Sequence, residues 1–204
     1  MYGKELSFAA SAARKATMLK RILVSGLLGA IVMILWAFVA NAIFGLRSSV
    51  DMNQVPNENH VYTVLKERIV EPGGYMCNPP LTSAGVFPPD EPVFSIHYSG
   101  VGHESAGRLM VLGLVIAFVA SMIAAWMLSL TGGRVISRYS RRVLFFAVIG
   151  LLFAVFSDLA RFDIGGYPLI SALLQGASDL ISWTLAGLVM AWWIRPEPSD
   201  VTQA

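Results

Sequence analysis

Residues 109–130 read LMVLGLVIAFVASMIAAWMLSL, and residues 131–142 continue TGGRVISRYSRR. The first stretch carries no charge; the second holds Arg134, Arg138, Arg141 and Arg142. At a rise of 1.5 Å per residue, about 20 apolar residues span a hydrocarbon core. An uncharged run of that length, closed by arginines, reads as a helix that crosses a bilayer and leaves it on the cytoplasmic side, where lysine- and arginine-rich loops are retained.

Three further runs fit the same pattern. The first covers residues 22–45, with Ser25 and Asn41 as its plainly polar members. The third covers residues 143–160; it is apolar through Phe156 and meets Asp158 at its far end, with Arg161 just beyond. The fourth covers residues 167–194 and carries Gln175 and Asp179 inside. Gly165, Gly166 and Pro168 predict a tight turn before it, and Trp192, Trp193 and Arg195-Pro196 mark its exit, since tryptophan favours the headgroup level and proline stops a helix. The expected fold is an all-α membrane protein, a four-helix transmembrane bundle. Composition agrees: 14% of residues are charged and 55% hydrophobic, against roughly 25% charged in soluble domains.

Charge sets the orientation. Residues 1–21 hold Lys4, Arg14, Lys15, Lys20 and Arg21, and form a basic cytoplasmic segment able to continue span one as a helix. Residues 131–142 form an arginine-rich cytoplasmic loop. Two crossings separate these segments, as the span count requires. Residues 46–108 then lie outside, as does the short turn of residues 161–166, and residues 195–204 are a cytoplasmic tail. Ala40-Asn41-Ala42 fits a signal-peptidase site, which would remove span one; its apolar run exceeds the usual signal length of about 7–15 residues and favours retention. A net charge of +2, with no basic stripe, argues against nucleic acid. A single cysteine, Cys77, makes no internal disulfide.

The outer loop is too long and polar for a simple connection. Asn57 is placed to cap a helix from Glu58 to Val70, with Val61, Leu65 and Ile69 on one face and Pro72-Gly73-Gly74 as its stop. A proline-rich irregular stretch follows, and residues 93–98 alternate like a strand. A small mixed cap on the outer helix ends is expected.

In lipid, helices associate through close backbone approach and hydrogen bonds. Span one offers Ser25 with Gly29 and Gly26 with Ala30; span two offers Gly113, Ala117, Ser121 and Ala125. These small faces are expected to meet. Ser171, Gln175, Ser178 and Ser182 form one polar stripe of span four, with Asp179 beside it, and lipid cannot satisfy that stripe.

Several short motifs carry a likeness. They are Lys20-Arg21-Ile22-Leu23 with Gly26, Gly29 and Trp36; Pro56-Asn57-Glu58; Glu71-Pro72-Gly73-Gly74-Tyr75; Arg141-Arg142-Val143-Leu144-Phe145; Gly166-Tyr167-Pro168; and Asp179 with Trp183 and Ala186-Gly187. On these the chain resembles a family of small uncharacterised bacterial integral membrane proteins with four predicted transmembrane helices. The resemblance implies a multi-pass protein of the bacterial cytoplasmic (inner) membrane and transfers no catalytic role. Family members carry more tryptophan around the third-to-fourth turn, where this chain has Arg161-Phe162-Asp163.

Asp179 is the leading candidate residue. A carboxylate at the bilayer centre costs roughly 2.5–3.5 kcal/mol on insertion scales, so it is expected to be neutral or water-bonded, with Ser121, Ser178 and Ser182 as available partners. It reads either as a proton or cation site or as a bond between helices or subunits. Asp158, Arg161, Asp163 and Arg108 are expected to form an outer-boundary salt-bridge cluster, Asp158 and Arg161 being three apart. His60, His97, His103, Cys77 and Glu104 share the outer loop and are weak metal candidates, at no standard ligand spacing. His103-Glu104 lacks the second histidine of a zincin, since Gly107 stands there. Gly176-Ala177-Ser178-Asp179 resembles an intramembrane serine-protease motif, but no span carries a histidine base. No cofactor is expected. The leading expectation is therefore a non-enzymatic accessory or interaction component with a membrane-protein partner or self-association. The rivals are a small proton/solute transporter or channel using Asp179, and an extracytoplasmic metal-binding protein.

Overall fold

The computed structural model describes residues 2–50, 53–100, 106–163 and 167–194. The chain divides into two units: residues 1–53 with 109–204, and residues 54–108. Among the described residues, four helices are long and apolar enough to cross a membrane: Ala16–Ile43, Met110–Ser129, Tyr139–Phe162 and Leu169–Trp193. The all-α membrane-protein fold is thus present.

In the first unit, α1 (Tyr2–Phe38) runs into a π-helical turn, Val39–Ile43, followed by the short α2 (Leu46–Val50). The helix continues through the basic N-terminal segment, as span one's reading allowed. Helix α4 (Ala106–Ser129) is the second span, and α5 (Gly133–Ile136) lies in the arginine-rich loop. The third span begins at α6 (Tyr139–Phe153), widens into a π-helical segment, Ala154–Leu159, and closes with α7 (Ala160–Asp163). Helix α8 (Leu169–Trp193) is the fourth.

The third span departs most from expectation. Instead of starting at residue 143 it takes in Arg141 and Arg142, and the turn placed at residues 161–166 is helical through Asp163. Arg142 is buried, at 5% exposure. Its guanidinium donates from Nε to the Ala191 carbonyl at 3.0 Å and from Nη1 to the Ile136 carbonyl. The last carbonyls of a helix have no partner within it, so a cation there meets both their hydrogen-bonding need and the negative end of the helix dipole. Tyr139 Oη adds a bond to the Leu188 carbonyl at 2.9 Å. Arg142, one of the arginines that set orientation in the sequence, thus also closes the end of α8.

Small residues set the helix pairing. A Cβ on Gly187 would stand 2.6 Å from Phe146 Cβ, and one on Gly150 2.7 Å from Trp183 Cβ. On Gly26 it would lie 2.9 Å from Met122 Cγ, and on Gly29 2.9 Å from Ser121 Oγ and 2.6 Å from Met190 Sδ. The expected meeting of spans one and two at their small faces is therefore present. The contacts also fix direction: Phe146, Gly150 and Ala154 meet Gly187, Trp183 and Gly176 in descending order, and Gly29 and Trp36 meet Met190 and Ser178 likewise. Neighbouring spans run antiparallel, so Lys20 and Arg21 share one end of this unit with Arg134–Arg142. The main apolar core, with Leu128, Phe146, Trp183 and Met190, sits in that half.

The second unit contains α3 (Glu58–Arg68) and an antiparallel hairpin of β1 (Gly73–Cys77) and β2 (Phe94–Tyr98), with Gly74 opposite His97 and Cys77 opposite Phe94. Val61 and Leu65 are half-buried on one face of α3, whereas Ile69, also half-buried, is the extended residue that ends the helix short of Val70. Two expectations are corrected. Asn57 stands at the helix start in the left-handed region, φ 55°, and makes no side-chain cap; its carbonyl accepts from the His60 and Val61 amides instead. Gly73–Cys77, which the sequence left as the edge of an irregular stretch, is a strand because residues 94–98 supply its ladder. No residue of α3 is buried.

Candidate functional site

The third span explains the site. Arg142, Phe146, Gly150, Ala154 and Asp158 are all buried and follow one another at four-residue steps. In an unbroken α-helix such a series drifts by about 40° per step, since each residue turns 100°. Asp158 would then rotate well away from the face that Arg142 occupies. The wider π turn at Ala154–Leu159 takes back part of the drift and holds Asp158 inward. Against this turn lies α8: a Cβ on Gly176 would sit 3.3 Å from Ala154 Cβ.

Asp158 is 3% exposed, and its Oδ2 has no hydrogen-bond partner. Its carboxyl meets that of Asp179 from α8 closely enough for the two to share a hydrogen bond. Asp179 Oδ1 also accepts from Gln175 Nε2 at 3.3 Å. Asp179, Gln175, Ser171, Ser178 and Ser182 line a cavity of about 90 Å³, together with Trp36 and Asn41 of the first span. Trp36 Nε1 donates to Ser178, at 3.0 Å to its carbonyl and 3.1 Å to its Oγ, and so ties the first span to the fourth at this level. Asn41 lies within the π turn of the first span and donates from Nδ2 to the Ala37 carbonyl at 2.8 Å. Both wide turns therefore supply a polar residue beside this cavity or its carboxyl pair. The site occupies the end of the bundle opposite the arginines.

The predicted residues divide clearly. Asp179, Gln175, Ser178 and Ser182 come together as the polar stripe implied. Ser121 does not join them; it is buried beside Gly29 and donates to Met33 Sδ at 3.6 Å. The partner that the sequence does not reveal is Asp158, whose spacing from Arg161 points to an outer salt-bridge cluster. Arg161 instead places its guanidinium 4.3 Å from the centre of the Tyr167 ring, while its charge still reaches both carboxyls. Arg108 is exposed in the first turn of α4. The Asp163 side chain lies outside the described residues, as do His103 and Glu104. His60 is exposed on α3, His97 faces Gly74 in the hairpin, and Cys77 is an exposed free thiol at the end of β1. Among the described residues, no three His, Cys, Asp or Glu side chains group to hold a metal ion.

A signal for Asp158 was present. The four-residue stripe from Arg142 through Gly150 and Ala154 ends on it, but a span assumed to begin at residue 143 and to fade at Phe156 hides the stripe's length. Comparison of the chain with protein-family models, curated proteins and solved structures gives no match.

Proposed function

We propose that this chain is a four-span protein of a bacterial cytoplasmic membrane, with both termini in the cytoplasm, that works as a small proton or solute transporter or channel through Asp179. The observation that carries this is the contact between Asp158 and Asp179 inside the spans, beside a polar cavity. Ionisable groups within spans are expensive to bury, and where they occur they mark ion pathways and proton relays. The family resemblance and the shared end of the basic segments support the membrane and the orientation. With that orientation, residues 46–108 are extracytoplasmic and the cavity faces the outer side.

The accessory-component reading draws on the small-residue faces. Gly26, Gly29, Gly150 and Gly187 are all used within this one chain, so they supply no argument for a partner subunit.

The test is flux in vesicles reconstituted with the purified chain. The native protein is expected to dissipate an imposed proton or solute gradient, and Asp179→Asn to lower that rate at least tenfold while keeping its helical circular dichroism. Native flux equal to that of empty vesicles would overturn the transport reading.

A further inference from the structure

Resting on Asp179 as the ion-handling residue, the cavity bounds what it handles. Pockets for organic ligands run to about 300–1,000 Å³; this one, at about 90 Å³, holds a few waters and no more. A hard metal ion wants six or more oxygen ligands. The cavity presents one carboxyl, Asp179, whose Oδ1 already accepts from Gln175, and Ser178 Oγ already accepts from Trp36. Asp158 stands behind Asp179 rather than in the cavity wall.

Two ionised carboxylates in contact repel, whereas one proton held between them makes a hydrogen bond. Among the described side chains, the surrounding elements supply few other charges. Helix α8 contributes Asp179 and Gln175, the π turn of the third span Asp158, α7 the field of Arg161, the first span the neutral Trp36 and Asn41, and α2 the apolar Leu46 and Val50. Asp158 is 3% exposed and its Oδ2 has no partner, so its buried carboxylate is poorly solvated and gains from a proton taken on the oxygen that meets Asp179.

We propose that the ligand of this site is the proton, that Asp179 receives it from cavity water, and that Asp158 is the inner acceptor. In the first step an O–H bond of a hydronium ion breaks, one forms on the Asp179 carboxylate, and a water stays in the cavity. In the second, the O–H on Asp179 breaks as one forms on Asp158, leaving Asp179 ionised and able to accept again. The pair carries one negative charge fewer for each proton taken up, and no metal or organic cation takes part.

Infrared difference spectroscopy of the full chain in lipid vesicles tests this, with the Asp158→Asn, Asp179→Asn double variant subtracted. The native chain is expected to show one protonated-carboxyl carbonyl band absent from the double variant. Asp158→Asn alone shifts it, since an amide then stands where the carboxyl that shares the proton stood. Exchange into deuterium oxide shifts the band in the native chain, a reading that requires no variant to fold. Replacing potassium by sodium leaves it unchanged. A native spectrum identical to the double variant's, or a band displaced by sodium, overturns the proposal. A band present without vesicle flux supports the proton site while the transport reading falls; flux with a sodium-displaced band removes the proton assignment and leaves the transport reading standing.

Discussion

The third span buries one arginine and one aspartate on the same stripe, and the molecule treats them oppositely. Arg142 ends between the last turn of α8 and the end of α5, where the Ala191 and Ile136 carbonyls accept its N–H groups. Asp158, at the other end, meets a second carboxyl and keeps one oxygen without a partner. The helix around Arg142 is regular, whereas around Asp158 it widens into a π turn. A buried charge whose donors are satisfied locks a structure, while a buried group left unsatisfied is costly and calls for another role. The arginine end reads as the anchor of the bundle and the carboxyl end as its working part.

Substitutions at the two positions separate those roles. Arg142→Met should have the largest effect on stability, a loss of about 3 kcal/mol, because hydrogen bonds to a charged group contribute about 1.5–3 kcal/mol each and carbonyls are left unpaired. Thermal unfolding in mild detergent checks it; a change under about 0.5 kcal/mol, the range of ordinary surface positions, would break the contrast. Asp158→Asn should have the smallest effect, within about 1 kcal/mol of the native chain and of either sign, because the amide relieves the carboxyl contact. The same unfolding measurement reads it. A loss as large as that of Arg142→Met would make Asp158 a second anchor.

The four spans were legible because a bilayer demands long apolar runs, and residues 109–130 and 22–45 supply them with few interruptions. The meeting of spans one and two was legible at Gly26 and Gly29 for a similar reason: close approach requires small residues. The extent of the third span was not. Arg141 and Arg142 look like flanking charges, and the carbonyl of Ala191, far along the chain, is among the acceptors that make a buried arginine tolerable. Strand β1 was hidden in the same way, since Gly73 and Gly74 have little strand preference and depend on residues 97 and 98 for their pairing. At the site, the Gln175–Ser178–Ser182 stripe follows from helical spacing. The partnership of Asp179 with Asp158 depends on a π turn, which no periodicity in the sequence announces.

The central claim is that residues 158 and 179 face each other across the third and fourth spans. In a Cys77→Ser background, the pair Asp158→Cys with Asp179→Cys should be joined in native membranes by a short bifunctional thiol reagent, with the linked peptides identified by mass spectrometry. The pair Ala154→Cys with Gly176→Cys, whose Cβ positions lie 3.3 Å apart, serves as control. Linking of both pairs is the predicted result. Linking of the control pair alone would contradict the account, since the two carboxyls would then not meet.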